Sequence, residues 1–454
     1  MKTNQENYLN SICKKIKCKD KRKRIYEELK THIEETKKEF IKQGIPEERA
    51  EEQAIEEMGN SSEIVKEFNK IYKIHIDYLS IITMFILLFV TIFVTSILVK
   101  ENLVNNINSL YINILIGCII SIPIFLISYK KLEKHSILVF LIGLLFSIIS
   151  YFIIQYKLLT YGNIADNPIY FSYISILLYI IAYAGIIKKY GKSWKTFLLA
   201  IISIISLLAV ERISLIVLLT ITYLSMTINQ ISIRNNKKFY IGLFTSIILV
   251  TILSVGILSL CENKFDGPIK TISTFFDRDT QAAIMKKNND NEFELTKDHT
   301  TSYYTYQRKD EILKQCKLFG ESEALNSNGK NYIGELETQN IFLFIISKLG
   351  WIPSIVLLIA ISFLIIKLIK NINYIDDNYG KIISIGIITY LLTSSVLSIL
   401  ISLNIFPIAS IALPFISIGN MNILFSILSL SVCLSVYSRK DILELSKEDR
   451  KVLC

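Results

Sequence analysis

The stretch "YLSIITMFILLFVTIFVTSILV" runs from Tyr78 to Val99 without one charged side chain. A helix needs roughly 20 mostly apolar residues to cross the hydrocarbon core of a bilayer. This segment meets that requirement. The residues before it are of the opposite kind. Positions 1–75 are dense in Lys, Arg and Glu and contain no apolar run long enough to span. The chain therefore reads as a small soluble helical domain, 1–75, followed by a membrane domain, 76–440, and a short tail, 441–454.

The same pattern recurs along the chain. Of its 454 residues, 51% are hydrophobic, more apolar surface than a soluble domain can hide but ordinary for a protein that shows it to lipid. About ten spans are expected, near 78–99, 110–128, 136–155, 168–187, 195–210, 213–230, 239–261, 340–369, 382–404 and 411–437. Glu211-Arg212 divides the stretch 195–230, and a tight turn is expected there, because an unsatisfied charge pair in mid-bilayer is costly. The fold class is all-α and polytopic.

Loop charges set the orientation. Lys130, Lys131 and Lys134 follow the second span, Lys188, Lys189, Lys192 and Lys195 the fourth, and Arg234, Lys237 and Lys238 the sixth. Lys367, Lys370 and Lys381 flank the loop after the eighth, and Arg439 and Lys440 follow the tenth. Alternate short loops are poor in Lys and Arg. Positive residues mark cytoplasmic loops, so both termini lie inside and the long segment 262–339 lies outside. No signal peptide is evident in "MKTNQENYLNSICKKIKCKDKRKR", which lacks an apolar core.

This topology accounts for the net charge of +10: basic loops sit beside anionic inner-leaflet lipid. No nucleic-acid-binding pattern accompanies it, and no nucleic-acid partner is expected. Cys13 and Cys18 are cytoplasmic and expected reduced. Cys118 and Cys433 read as apolar helix residues, which leaves Cys261 and Cys316 as the pair that can meet outside, either as a disulfide or as two thiols. The four histidines show no metal-ligand spacing.

In the soluble segment, "ENYLNSICKKI" puts Tyr8, Leu9, Ile12 and Ile16 on one helical face. "DKRKRIYEELKTHIEETKKEFIKQG" puts Ile25, Leu29, Ile33 and Phe40 on another and stops at Gly44. "PEERAEEQAIEEMG" opens on Pro46 and stops at Gly59, and "NSSEIVKEFNKIYK" opens with a Ser/Glu capping pattern. Through "YLNSICKKIK", "EELKTHIEE" and "ERAEEQAIEEMGNSSEIVKEFNKI" this segment resembles the HAAS prefix domain found before permeases and related membrane proteins of Gram-positive bacteria. The resemblance implies a cytoplasmic interaction or regulatory module and no chemistry.

Two stretches of the membrane domain carry chemistry. "FPIASIALPFISIGNMNIL", Phe406–Leu424, holds Pro407 and Pro414. Proline is awkward inside a membrane helix because it removes a backbone donor. The pair reads either as a re-entrant or broken segment entering the last helix, or as loop prolines at a helix start. "GELETQNIFLFIISKLGW", Gly334–Trp351, sets acids and amides against an apolar run.

Both stretches resemble the SEDS family, the FtsW/RodA/SpoVE group. The first is similar to that family's L-P-x-x-G-I-P-L-P-F-I-S-Y-G-G-S-S, keeping Pro407, Ile411, Leu413, Pro414, Phe415, Ile416, Ser417 and Gly419. It departs at Ser410, Ala412, Ile418, Asn420, Met421 and Asn422. The second is similar to L-P-E-x-x-T-D-F-I-F-x-x-x-x-E-E-L-G, keeping Glu335, Thr338, Ile341, Phe342, Leu349 and Gly350. "TISTFFDRD" resembles R-I-x-x-F-L-D-P through Ile272, Phe275 and Asp277, and "TYQRKDEILKQCKLFGES" resembles a G-Y-Q segment through Tyr306 and Gln307.

The resemblance implies a peptidoglycan glycosyltransferase that polymerises lipid-linked precursor (lipid II) at the outer face of the cytoplasmic membrane with a class B penicillin-binding protein. Such chemistry needs a carboxylate to take the acceptor proton and positive charge or metal near the pyrophosphate. No cofactor is evident in the sequence; a divalent cation is implied by the resemblance alone. The family's essential Asp falls at Gln339, and an amide neither accepts a proton at neutral pH nor carries negative charge. The family's E-E pair falls at Ser347-Lys348. Glu335 and Glu337 stand as candidate substitute acids, or as solvated loop residues. Thr338, Lys348, Pro407, Pro414, Ser417 and Gly419 are implied to face substrate. Lys348 reads either as a point charge beside phosphate or as a cation snorkelling to the interface. The expected function is cell-wall synthesis with weak or no polymerase activity. The alternatives are a permease-like transporter, and a non-catalytic scaffold regulated through the prefix domain.

Overall fold

The computed structural model describes residues 4–16, 22–71, 75–100, 108–161, 170–190, 194–208, 213–233, 245, 248, 308–322, 340–406, 411–417 and 420–440. Two compact units emerge: Met1–Asp77 with Tyr374–Asp377 and Ser435–Cys454, and Tyr78–Asn373 with Asn378–Leu434.

The first unit carries four amphipathic helices, α1 Asn4–Lys15, α2 Arg22–Lys42, α3 Glu47–Glu57 and α4 Ser61–Ile71. The apolar faces expected from spacing meet in one core. Leu9, Ile12, Ile16, Ile25 and Ile33 are fully buried, with Tyr8, Phe40 and Phe68 packed around them. Burying each such aliphatic side chain is worth ~1.5–3 kcal/mol, and a core this small leaves little surplus. Helix α2 gives way to Gly44 in the left-handed region (φ 88). The cap of α4 is Asn60, whose Oδ1 accepts the Ser62 backbone N–H at 3.0 Å; the expected serine cap sits one residue too late.

The second unit is a helical bundle. Its helices are α5 Tyr78–Lys100, α6 Asn108–Leu126, α7 Lys130–Lys134, α8 Ser136–Tyr161, α9 Tyr170–Tyr190, α10 Trp194–Leu208, α11 Ile213–Ile233, α12 Ile341–Leu349, α13 Trp351–Ile372, α14 Asn378–Ser402 and α15 Asn420–Ser438. Among the described residues, five helices are long and apolar enough to cross a membrane: Tyr78–Lys100, Ser136–Tyr156, Phe171–Tyr190, Trp351–Ile372 and Asn378–Ser402. Shorter apolar helices cover Leu110–Leu126, Trp194–Leu207, Ser214–Asn229 and Asn422–Ser438. Glu211-Arg212 and nearly all of the expected span 239–261 lie outside the described residues, as does Cys261. Cys316, its candidate partner, is a free thiol.

Helices α9 and α14 occupy the middle of the bundle. Helix α9 packs against α8, α10, α11 and α14, and α14 against α11, α12 and α13. Close approach is helped by Gly386, where a Cβ would stand 2.7 Å from the Met226 sulfur and 2.8 Å from Ile180 Cγ2. Lipid offers no hydrophobic drive between helices, so polar groups and packing hold them together. Here that glue is hydroxyl. Tyr183 and Tyr223 stack at 4.1 Å, Tyr183 Oη meets Thr227 Oγ1 at 2.9 Å, Ser203 Oγ meets Tyr223 Oη at 3.0 Å, and Tyr179 Oη meets Ser206 Oγ at 2.7 Å.

Two expected helix bounds change. The span expected at 340–369 is two helices, broken at Gly350, and only Trp351–Ile372 has spanning length. Continuous hydrophobicity hid the break, because the short helix α12 opens with six consecutive apolar residues, Ile341–Ile346, and is buried from Ile341 to Lys348, as a helix apolar over most of its surface requires. The expected span 411–437 starts as a non-helical turn, and α15 begins at Asn420.

Candidate functional site: the outer rim

Gln339, Glu335, Glu337, Thr338, Pro407 and Gly419 lie outside the described residues. Lys348, Pro414 and Ser417 are described. On the orientation set by the loop charges, the outer rim is built from three pieces: residues 308–322, the α12–α13 break, and the end of α14 with the turn 411–417.

The first piece is strapped onto the second. Gly320 N donates to Leu349 O at 3.0 Å and Ser322 N to Ser347 O at 2.8 Å. In return, Trp351 N donates to Lys317 O and Ile352 N to Leu318 O, each at 3.1 Å. These bonds satisfy backbone groups that the helix break would leave unpaired. Gly350 makes the geometry available with φ 94 and ψ 176, a region open essentially to glycine alone. A Cβ there would also stand 2.6 Å from Leu318 O and 2.8 Å from Phe319 Cα.

Lys348 is buried and forms an ion pair with Glu321, the residue at the end of the strap. Its ammonium therefore has a protein carboxylate, where sequence left a phosphate or the lipid interface as the choices. Ser347 is fully buried, and its Oγ donates to Phe344 O at 2.8 Å.

Residues 308–315 form a helical run that docks on the end of α14. Lys309 is buried, and its Nζ donates to Ile401 O at 3.3 Å, placing a cation at a helix C-terminus, where the dipole favours it. Two residues past the end of α14, Asn404 is in the left-handed conformation (φ 60), and its Nδ2 donates to Asp310 Oδ1 at 2.7 Å. Burial pulls the Lys309 ammonium down from 10.5 to about 8, with the Asp310 charge acting the other way. Between those two values the unfolded chain holds more protons than the folded one, so stability rises with pH across that window. We expect wild-type protein to gain thermal stability over Lys309→Met as pH climbs from about 8 towards 10. Melting curves in detergent measure it; a wild-type advantage that shrinks with rising pH contradicts the assignment.

The third piece is the turn around Pro414, buried throughout Leu413–Ser417. Leu413 O accepts Ser417 N at 3.0 Å and Asn422 Nδ2 at 2.8 Å. Phe415 stands at φ 65, a genuine outlier for a bulky side chain. Both of its backbone groups are held: its carbonyl accepts Thr91 Oγ1 of α5, and its N–H donates to Ser426 Oγ of α15 at 3.2 Å. At Pro414 the described residues form a buried turn ahead of the last helix, while Pro407 lies outside them. Strain of this kind persists only where surrounding structure over-determines it, and it concentrates at functional sites.

Sequence reasoning missed Thr91, Lys309, Asp310 and Glu321. Thr91 is one hydroxyl among several in an apolar run, and nothing local marks a partner 324 positions away. Lys309 and Asp310 sit in a mixed-charge segment that reads as solvated. The acids described on the outer segment are all engaged. Asp310 takes Asn404, Glu311 takes Arg308 at 2.8 Å, and Glu321 takes Lys348. Among the described residues, no group of three His, Cys, Asp or Glu side chains is placed to hold a metal ion.

Together these features define a multi-pass, all-α membrane protein with a strapped helix break at Gly350 and a buried Pro-Phe turn ahead of its last helix. No protein-family model matches the chain. It is 28% identical over 124 residues to stage V sporulation protein E of Bacillus subtilis (strain 168), covering 27% of this chain and 34% of that protein. It is 26% identical over 123 residues to the probable peptidoglycan glycosyltransferase FtsW of Enterococcus hirae, covering 27% of this chain and 31% of the relative. The match thus spans about a third of each relative's length. Among solved structures, a chain of a peptidoglycan synthase complex superposes with a TM-score of 0.54 at 13% identity, covering 80% of this chain and 98% of the other. The rod shape determining protein RodA of Thermus thermophilus gives a TM-score of 0.47 at 11% identity, covering 78% and 96%. Over about a quarter of its length the chain is thus similar in sequence to stage V sporulation protein E and FtsW, and its fold is that of a chain of the peptidoglycan synthase complex; it is a multi-pass protein of the bacterial cytoplasmic membrane.

Proposed function

We propose that this protein serves peptidoglycan synthesis at the outer face of the cytoplasmic membrane, engaging lipid II at its outer rim with weak or no polymerase activity of its own. The carrying observation is the retained Pro-Phe turn of the family's signature, held by Thr91 and Ser426, set against an amide at the position of the family's acid, Gln339. A buried, over-determined turn is what a binding surface needs. Transfer of the acceptor hydroxyl additionally needs a base, and each acid described on the outer segment already has a partner. Any replacement acid would have to come from Glu335 or Glu337.

The partner we infer is a class B penicillin-binding protein, by analogy with the peptidoglycan synthase complex whose chain shares this fold. The prefix helices would act as the regulatory input from the cytoplasm. A transporter is disfavoured because the described spans contain no acidic residue in their interiors, whereas transport pathways usually place ionisable groups at the midplane.

The test is polymerisation of fluorescent lipid II by purified protein, alone and with candidate partners, alongside direct measurement of lipid II binding. Binding without glycan chains is expected. Robust chains that disappear on Glu335→Ala overturn the non-polymerising reading and identify the substitute acid. Absence of lipid II binding overturns the proposal as a whole.

A further inference from the structure

The strap at 317–322 carries a feature that its hydrogen bonding does not require. Leu318 is 68% exposed and Phe319 64% exposed, two large apolar side chains on an external turn. Burial in protein or lipid is the ordinary fate of such groups, and an exposed pair at one place marks a contact.

The position of the turn says what covers it. Its carbonyls at Lys317 and Leu318 are bonded to the first two backbone N–H groups of α13, which is a spanning helix. That helix exposes Ile352, Ile355, Val356, Ile359, Phe363 and Ile366. Their spacing of three and four residues makes one continuous stripe along the helix, which is the surface a membrane helix shows to acyl chains. The turn therefore caps the lipid-facing stripe at its outer end, where Trp351 also stands. Aromatic residues concentrate at that level of a bilayer. Lys314 and Lys317 beside the turn are exposed, and long basic side chains at such a boundary keep their heads in the headgroup region while their stems lie against apolar surface.

We propose that the turn 317–320 is an interfacial anchor that seats Leu318 and Phe319 in the outer leaflet. The anchor holds the strap, and with it the α12–α13 break, at a fixed depth in the membrane. The inference rests on the spanning role of α13 and is independent of the polymerase question.

A depth measurement tests it. Trp194 and Trp351, the two native tryptophans, are replaced by Phe, and Phe319→Trp or, separately, Leu318→Trp is introduced into the full-length protein in lipid vesicles. Blue-shifted emission is expected, lost largely to lipids brominated near the headgroup, lost less to lipids brominated in mid-chain, and protected from aqueous iodide. Red-shifted emission quenched by iodide and untouched by brominated lipid overturns the anchor and leaves the turn in water. Protection from every quencher also overturns it, because the turn is then covered by protein. Carrying both variants guards against a single failure to fold.

Discussion

Replacing Gly350 with alanine is expected to unfasten the outer strap. The backbone there has φ 94 and ψ 176, and holding a non-glycine residue in such a region costs ~1–3 kcal/mol. The new Cβ would also meet backbone atoms, Leu318 O at 2.6 Å and Phe319 Cα at 2.8 Å, which cannot swing aside as a side-chain tip can. Relieving that overlap adds about 1–3 kcal/mol more, for a total of about 2–6 kcal/mol. The four cross-bonds that tie 317–322 to α12 and α13 should then open at least about 30 times more often, and up to about 10⁴ times. Amide exchange at Gly320, Ser322, Trp351 and Ile352 reads this directly. Gly320→Ala is the matched comparison. It also has positive φ (85) but has nothing within 4 Å of an added Cβ, so only the conformational cost applies and the increase should be smaller. Equal effects at the two sites would show that the close approach at Gly350 contributes nothing.

That break also shows what was and was not legible in the sequence. The all-α membrane class was plain in runs such as Tyr78–Val99, because lipid allows a spanning helix few polar side chains and the deficit extends over the whole span. The prefix core was equally readable, since Leu9, Ile12, Ile16, Ile25 and Ile33 recur at helical spacing. The division at Gly350 was not legible. A membrane helix tolerates glycine, and both sides of the break are apolar, so hydropathy is blind to a turn whose polar groups are satisfied by a distant strap. The contacts of the rim were hidden for the same reason. Thr91 with Phe415 and Lys309 with Ile401 join residues hundreds or scores of positions apart, and each residue taken alone has an ordinary role. Family patterns did mark the Pro414 turn. They marked the sequence around it, and the left-handed Phe415 with both backbone groups held is the physical content behind those letters.

The remaining large effect belongs to the acid. On the proposed function, Gln339→Asp should raise lipid II polymerisation by ~10²–10⁴, the usual contribution of a positioned general base. The exchange replaces the amide with a carboxylate on a side chain one methylene shorter, and so supplies a group that can take the acceptor proton. Reverting Ser347-Lys348 to the family's Glu-Glu should not add to the gain. Ser347 is fully buried, and Lys348 is the cation that Glu321 pairs with. Two carboxylates there would leave Glu321 facing like charge with its partner gone, an arrangement that costs far more than an exposed pair returns. The single variant is thus expected to gain activity while keeping its melting temperature, and the triple variant to lose stability first. Lipid II polymerisation and thermal unfolding, measured on both, separate these outcomes. A Gln339→Asp protein that binds lipid II as wild type does yet makes no chains would place the lost chemistry elsewhere on the rim. The Lys348–Glu321 pair would be the first place to look, because it marks where this chain has committed to an ion pair of its own in place of the family's two acids.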